Sequence, residues 1–166
     1  LFFFPLIVAR YSFKLFADTR KNHLQLLQAL TMALDVRDSY TAGHSSRVAQ
    51  LSLQIAERLH LPSSKREVLR YAAILHDVGK IGIQDSILTK KGELSEEEYP
   101  LVREHPEIGY KILEGVDFLQ EAAQIVLAHH ERIDGSGYPR GKKGEEIPLE
   151  ARIVGVAEAF DALTSD

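Results

Sequence analysis

Apolar side chains recur at helical spacing along most of the chain, and several of the stripes end on a residue able to do chemistry. Between Asn22 and Val36, Leu24, Leu27, Leu30 or Thr31, and Leu34 share one face, which predicts a helix. Asp38 to Gly43 reads as a turn. The next helix is expected from about His44 to Leu59, with Val48, Leu51, Ile55 and Leu59 inward and His44 one turn above Val48. Ser64 and Glu67 have capping-box spacing and open a helix whose face is Leu69, Ala73 and His76. Gly79 and Gly82 break it. Ser95 and Glu98 repeat the capping pattern ahead of a helix toward Arg103. Pro106 suits the first turn of another, ending near Gly115. From Phe118 to Glu131, Ala122, Ile125 and His129 share a face. Residues 132–148 are rich in Gly, Pro and charge and read as a long functional loop. Helical spacing returns at Leu149, with Val154, Glu158 and Asp161 along one side. No strand run interrupts this order, so the expected fold is all-α, a domain of six or seven helices.

The N-terminus departs from the pattern. Residues 1–9 are almost wholly apolar, too few to span a bilayer, which takes about 20. Arg10, Lys14, Arg20 and Lys21 follow, interleaved with Tyr11, Phe13, Leu15 and Phe16. That order reads as the cytoplasmic end of a transmembrane helix. The expected organisation is therefore a membrane and juxtamembrane stretch at 1–21, a connecting helix at 22–36 and a domain at 37–166, held at the cell membrane with the domain cytoplasmic. The stripe on the connecting helix would suit pairing in a homodimer, although such stripes more often face a core. Both ends look like cuts in a longer protein.

Composition narrows the chemistry. The 166 residues are 45% hydrophobic and 27% charged, as in globular proteins. A net charge of −4 leaves no basic stripe for a nucleic-acid polymer. With no cysteine, thiol nucleophiles and thiolate metal sites are excluded, so any metal must be held by His, Asp or Glu.

The inward polar residues are His44, His76, Asp77, His105, His129, His130, Glu158 and Asp161. A single histidine on an apolar face is usually a hydrogen-bonded core residue. Five of them with three acids are better explained as ligands, because unpartnered burial would cost several kcal/mol each. This donor set suits iron, manganese, zinc or a similar first-row ion rather than calcium. Adjacent helical residues diverge by about 100°, so His76 can fill a terminal position while Asp77 bridges two ions. Two ions about 3.5–4 Å apart with a shared water form a hydrolytic device for phosphate esters. Lys80, one turn past His76, either contacts a phosphate or serves as a helix C-terminal cation. In the loop, Gly135, Gly137 and Gly141 give backbone freedom, Tyr138 offers a face for a base, and Pro139 stiffens the turn. His23, His60, Lys142 and Lys143 read as surface residues.

These motifs carry a likeness. His76-Asp77-Val78-Gly79-Lys80 resembles HDxGK, and His129 to Gly141 resembles HHExxDGxGYPxG, the signatures of the HD-GYP family of bacterial cyclic di-GMP phosphodiesterases within the HD phosphohydrolases. Asp38 to His44 and Ala157 to Ser165 resemble further segments of that family, and the likeness spans roughly 24–166. It implies an HD-type helical domain with metals on His44, His76, Asp77, His105, His129, His130 and Glu158. Lys80 and Asp161 would stand beside the bridging water and scissile phosphate. The loop of Gly137, Tyr138, Pro139 and Arg140 would border the substrate. The implied reaction is metal-dependent opening of cyclic di-GMP to pGpG, with either pGpG or GMP as the final product. Alternatives are hydrolysis of another cyclic dinucleotide and a non-catalytic signalling module. The family usually has Asp where this chain has Glu158. Tyr40 stands where some members place a Glu that holds a third metal, so two divalent metals are expected. The chain stops before the family's R-P-Y-R stretch.

Overall fold

The apolar stripes converge on one helix. In a computed structural model, which describes residues 3–37 and 43–165, that helix is α3 (Ser63–Leu75), whose second half is buried from Leu69 onward apart from Arg70. Ala72 and Ala73 leave room for neighbours to approach. Against α3 pack α1 (Phe3–Arg37), α2 (His44–Arg58), α7 (Gln120–Ala128) and α8 (Leu149–Thr164). Three shorter helices, α4 (Asp85–Leu88), α5 (Glu98–Val102) and α6 (His105–Leu113), complete the order, with 3₁₀ turns at Val78–Gly82, Asp117–Leu119 and Gly144–Glu146. No strand occurs among the described residues, so the all-α expectation holds. The core is built from Val48, Leu69, Leu75, Val126, Ile147 and Val154, each at or near complete burial.

Several boundaries differ from those read in the sequence. The stretches 1–21 and 22–36 fall, where described, in one continuous helix, α1, of 35 residues and about 52 Å. Its second half packs on the core through Leu24, Leu27 and Leu34. The hydroxyl of Thr31 donates to Leu27 O (2.9 Å) and lies 3.3 Å from Ile74 O. The stripe considered for a homodimer is thus core-facing. The first half of α1 is bare, with Phe3 80% and Phe13 75% exposed. No helix among the described residues is long and apolar enough to cross a membrane.

The Ser64–Glu67 capping box does not form. The helix starts a residue earlier, at Ser63 behind Pro62, and Glu67 turns instead to Arg20 and Tyr71. The Ser95–Glu98 box does form, through Ser95 N–H to Glu98 Oε2 at 2.7 Å and Glu98 N–H to Ser95 Oγ at 3.3 Å. The helix expected across 118–131 stops at Ala128, so His129 and His130 emerge past its end. His23 is not a free surface residue: it is half-buried, stacked on Phe118 with ring centroids 5.1 Å apart. His60 is exposed, as expected. Most of the turn at 38–43, with Tyr40, lies outside the described residues.

Candidate metal centre

The five core-facing histidines sit at helix ends. His44 opens α2, His76 follows α3, His105 opens α6, and His129 and His130 follow α7. The packing of these helices around α3 brings their ends together in two groups, His44, His76 and Asp77, and His105, His129 and His130. Within each group the ligand atoms lie within 4.8 Å of one another. Asp77 stands between the groups. Its Oδ2 is 3.4 Å from His76 Nε2, and its Oδ1 is 3.4 Å from His105 Nε2. One carboxylate thus turns an oxygen toward each group.

The ring orientations are set by the backbone. His76, His105 and His129 each place Nδ1 on the carbonyl three residues back, Ala73 O at 2.9 Å, Val102 O at 2.8 Å and Val126 O at 2.6 Å. A carbonyl only accepts, so each of these nitrogens carries a proton and Nε2 is the atom turned toward the centre, a bare lone pair in the neutral His105 and His129. That is the arrangement metal-ligating histidines use. Two consequences follow. His76 Nε2 is buried with no hydrogen-bond partner, and His105 Nε2 lies 3.3 Å from His129 Nε2, lone pair toward lone pair. Such orphans are costly unless a cation sits between them. The imidazole and carboxylate donors therefore fit divalent first-row ions.

Protonation follows the same logic. Burial, with the neighbouring histidines, pushes His129 well below its ordinary value, pushes His130 down to about 3 and lowers His105. These three are neutral and ready to ligate. Burial also opposes the charge on His76, but Asp77 outweighs it and raises that histidine to about 9. Asp77, against its own burial, is held well below the carboxylate range by His76 and Lys80. Burial raises Glu158 to about 7.

Glycines permit the close approach. A Cβ on Gly79 would fall 1.9 Å from His105 O and 2.6 Å from Gly109 N, so the 3₁₀ turn after Asp77 rests directly on the α6 backbone. A Cβ on Gly155 would fall 2.6 Å from His129 O, where α8 touches the end of α7. Gly79 thus does more than end a helix, and the part played by Gly155 was not foreseen from the sequence.

The remaining expected residues fall as follows. Lys80 places Nζ 2.9 Å from Asp77 Oδ2, at the mouth of the centre. Glu158 Oε1 is 3.8 Å from His130 Nε2, at the edge of the second group. Asp161, expected beside the water and phosphate, lies behind His44 instead. Its Oδ2 is 2.7 Å from His44 Nδ1, and Arg47 donates to both its oxygens at 2.7 and 3.0 Å. With both oxygens engaged it orients a histidine, and hydrogen bonds from Arg47 chief among its partners hold it down at about 2.

Tyr138 does not present a bare face. Its ring stacks on His130 with centroids 4.7 Å apart, and Arg103 lies over it, 5.2 Å from the centroid. Gly137 is pressed against the loop backbone, 2.3 Å from Arg132 N to a notional Cβ, and Tyr138–Pro139 is cis. Arg140 pairs with Glu107 at 3.1 Å in an exposed position. Lys143 is exposed, while Lys142 is half-buried and gives its backbone N–H to Glu131.

Glu131 enters the sequence reading only as a letter of the motif, with no role of its own, although an acid between two histidines and a glycine-rich loop is a signal for one. It is buried and accepts from Arg140 N–H (2.7 Å) and Lys142 N–H (3.0 Å), tying the loop back to the histidines. Arg47, Arg103 and Arg152 were likewise not singled out.

An all-helical bundle whose helix ends gather five histidines around a central carboxylate defines a class: a helical domain with side chains grouped to hold metal ions. The chain belongs to the HD domain family, whose model matches residues 28–166. It is 45% identical over 150 residues to a protein named cyclic di-GMP phosphodiesterase response regulator RpfG from Xanthomonas campestris pv. campestris (strain 8004), covering 89% of this chain and 40% of the relative. It is 42% identical over 141 residues to a protein named 3'3'-cGAMP-specific phosphodiesterase 3 from Vibrio cholerae serotype O1, covering 85% of this chain and 31% of that one. A solved HDG"Y"P protein from Bdellovibrio bacteriovorus matches with a TM-score of 0.61 at 27% identity, covering 72% of this chain and 40% of that one. The chain therefore spans well under half the length of these relatives.

Proposed function

We propose that this chain is a metal-dependent phosphodiesterase domain that hydrolyses cyclic di-GMP, opening the ring to pGpG. The observation that carries the reading is Asp77, with one oxygen 3.4 Å from each histidine group, as a carboxylate bridging two ions requires. His44 and His76 would hold one ion, and His105, His129 and His130 the other, with Glu158 at its edge. Iron or manganese suits the donors. Bound there, the ions would lower the pKa of a water and clamp phosphoryl oxygens. The chain's own residues do the rest. Lys80 offers an ammonium at the mouth for a phosphate or a leaving oxygen. Asp161 and Arg47 fix His44. Glu131 holds the loop of Gly137, Tyr138, Pro139 and Arg140 at the border of the site. The name of the 45%-identical relative supports the choice of substrate.

The test is a turnover assay on the purified chain, loaded with manganese or iron and checked by elemental analysis. Conversion of cyclic di-GMP to pGpG is expected, and its absence with two ions confirmed bound would sink the reading. A second substrate, 3'3'-cGAMP, is favoured by the name of the 42%-identical relative, and a panel of cyclic dinucleotides separates the two.

The chain further fits a domain held at the cytoplasmic face of a membrane through its N-terminal segment. The exposed aromatics of α1, with Arg10, Lys14 and Lys21 among them, support this. Co-sedimentation with anionic vesicles tests it, with residues 1–16 deleted for comparison. A homodimer through α1 would use its exposed positions outside the core-facing face, such as Leu26 and Met32, and sedimentation equilibrium decides it.

A further inference from the structure

The metal centre opens at one end into a groove of about 800 Å³, which begins at His129, His130 and Glu158 and runs along α8 and the 131–138 loop. Lys80 and Asp77 do not line it. The groove has its own cations, Arg103, Arg132 and Arg152. Its acids are already engaged: Glu131 with two backbone N–H groups, Asp134 with Ser136, and Glu158 at the centre.

Two of these arginines lack the partners that such groups normally find. Arg152 is half-buried and lines the groove; its Nε is closed off from solvent with no hydrogen-bond partner, so its terminal amino groups are the donors a ligand can reach. A half-buried guanidinium with no acidic partner favours an anion placed against those terminal groups. Arg103 is steadied by Tyr138, but a guanidinium lying over a ring uses its flat face, so the N–H groups on its edge remain free to donate. Beside them Ile133, Val156 and Ala159 give an apolar floor.

A cyclic dinucleotide carries two phosphodiesters, and the metal centre with Lys80 serves only the one being cut. We propose that Arg103 and Arg152 form a second anion subsite, which takes the uncleaved phosphate and sets a preference for substrates that carry two. This rests on the cyclic dinucleotide reading above and adds the residues that recognise the distal half.

The experiment is calorimetric binding of the bis-phosphorothioate analogue of cyclic di-GMP, which resists hydrolysis, to the manganese-loaded chain and to Arg103→Gln, Arg152→Gln and Arg152→Lys. Losing one charge-assisted contact should weaken binding about tenfold or more in each Gln variant. Arg152→Lys should recover part of the loss, with manganese content unchanged throughout. In turnover, the ratio of kcat/KM for cyclic di-GMP to that for bis(p-nitrophenyl) phosphate, which has one phosphate, should fall by a similar factor. Dissociation constants and ratios within about threefold of wild type in both Gln variants would overturn the subsite. Should Arg152→Gln fail to fold, the exposed Arg103 decides alone. A wild-type chain that binds the analogue but does not cleave cyclic di-GMP tells against the proposed function and leaves the subsite standing. One that does not bind the analogue overturns both.

Discussion

Replacing Gly79 with alanine tests whether the centre depends on backbone contact between the segment carrying Asp77 and the helix carrying His105. The added Cβ would lie 1.9 Å from His105 O, 2.6 Å from Gly109 N and 2.8 Å from His105 C. All three are backbone atoms, so no side chain can swing aside. Restoring an ordinary 3.4 Å contact to His105 O from 1.9 Å requires a shift of about 1.5 Å. Because Asp77 Oδ1 and His105 Nε2 are only 3.4 Å apart, that shift would separate the carboxylate from the second histidine group. Overpacking of this kind costs about 1–3 kcal/mol, and rigid backbone on every side puts Gly79 at the upper end. For a domain of this size that is a fall in Tm of roughly 6–12 °C. A displacement above 1 Å should also cut activity by about 100-fold or more. The assay is a thermal melt of metal-free protein, followed by metal content after loading and gel filtration. Gly115→Ala is the control, since a Cβ there meets nothing within 4 Å. If Gly79→Ala melts within about 2 °C of wild type and retains two ions, the contact does not hold the centre together.

Three further outcomes are expected. Glu131→Ala removes the acceptor of two backbone N–H groups, about 2–4 kcal/mol of loop ordering. It should raise KM while metal content stays near wild type, and a lost ion with unchanged KM would contradict this. Asp161 is held near 2, below its ordinary 3.8, so it stabilises the fold above the ordinary value, and that contribution is lost as pH falls toward 2. Asp161→Asn should therefore lower urea stability at pH 6 and flatten the loss between about pH 4 and 2, whereas an acid limb like that of wild type would refute the pairing. Glu158 near 7 and His76 near 9 both hold protons in the metal-free chain at slightly acidic pH. Metal binding at pH 6 should release protons, with apparent affinity rising as pH increases, and calorimetry in buffers of different ionisation enthalpy should count them; none released at pH 6 would refute it.

The order of helices and the inward placement of the histidines were legible because both rest on period. A residue three or four places beyond an apolar stripe must share its face, which is how His44, His76 and His129 were found. Pairwise positions across the fold left no such trace. Asp161 shares a stripe with Val154 and Glu158, but only the arrival of Arg47 and His44 from α2 shows that its oxygens are occupied. Tyr138 looked like an open ring because neither His130 nor Arg103 is fixed against it by local spacing. The two capping patterns make the same point from one motif. Ser95 and Glu98 close on each other, whereas Glu67 is drawn off by Arg20, 47 positions away in the chain. Gly79 and Gly155 read as breakers or as nothing, since contact between two backbones has no periodic signature.

The bonds from His76, His105 and His129 to the carbonyl three residues back also carry an entropic consequence. Each imidazole gives up its ring rotation and its choice of tautomer when the helix beneath it forms. The ordering of these ligands therefore belongs to folding, and little of it remains for the moment an ion arrives. Binding at these three positions should then be favoured by the release of water from the ion, with a small conformational penalty. Fraying the last turn of α3 or α7 would weaken metal affinity without altering any ligand.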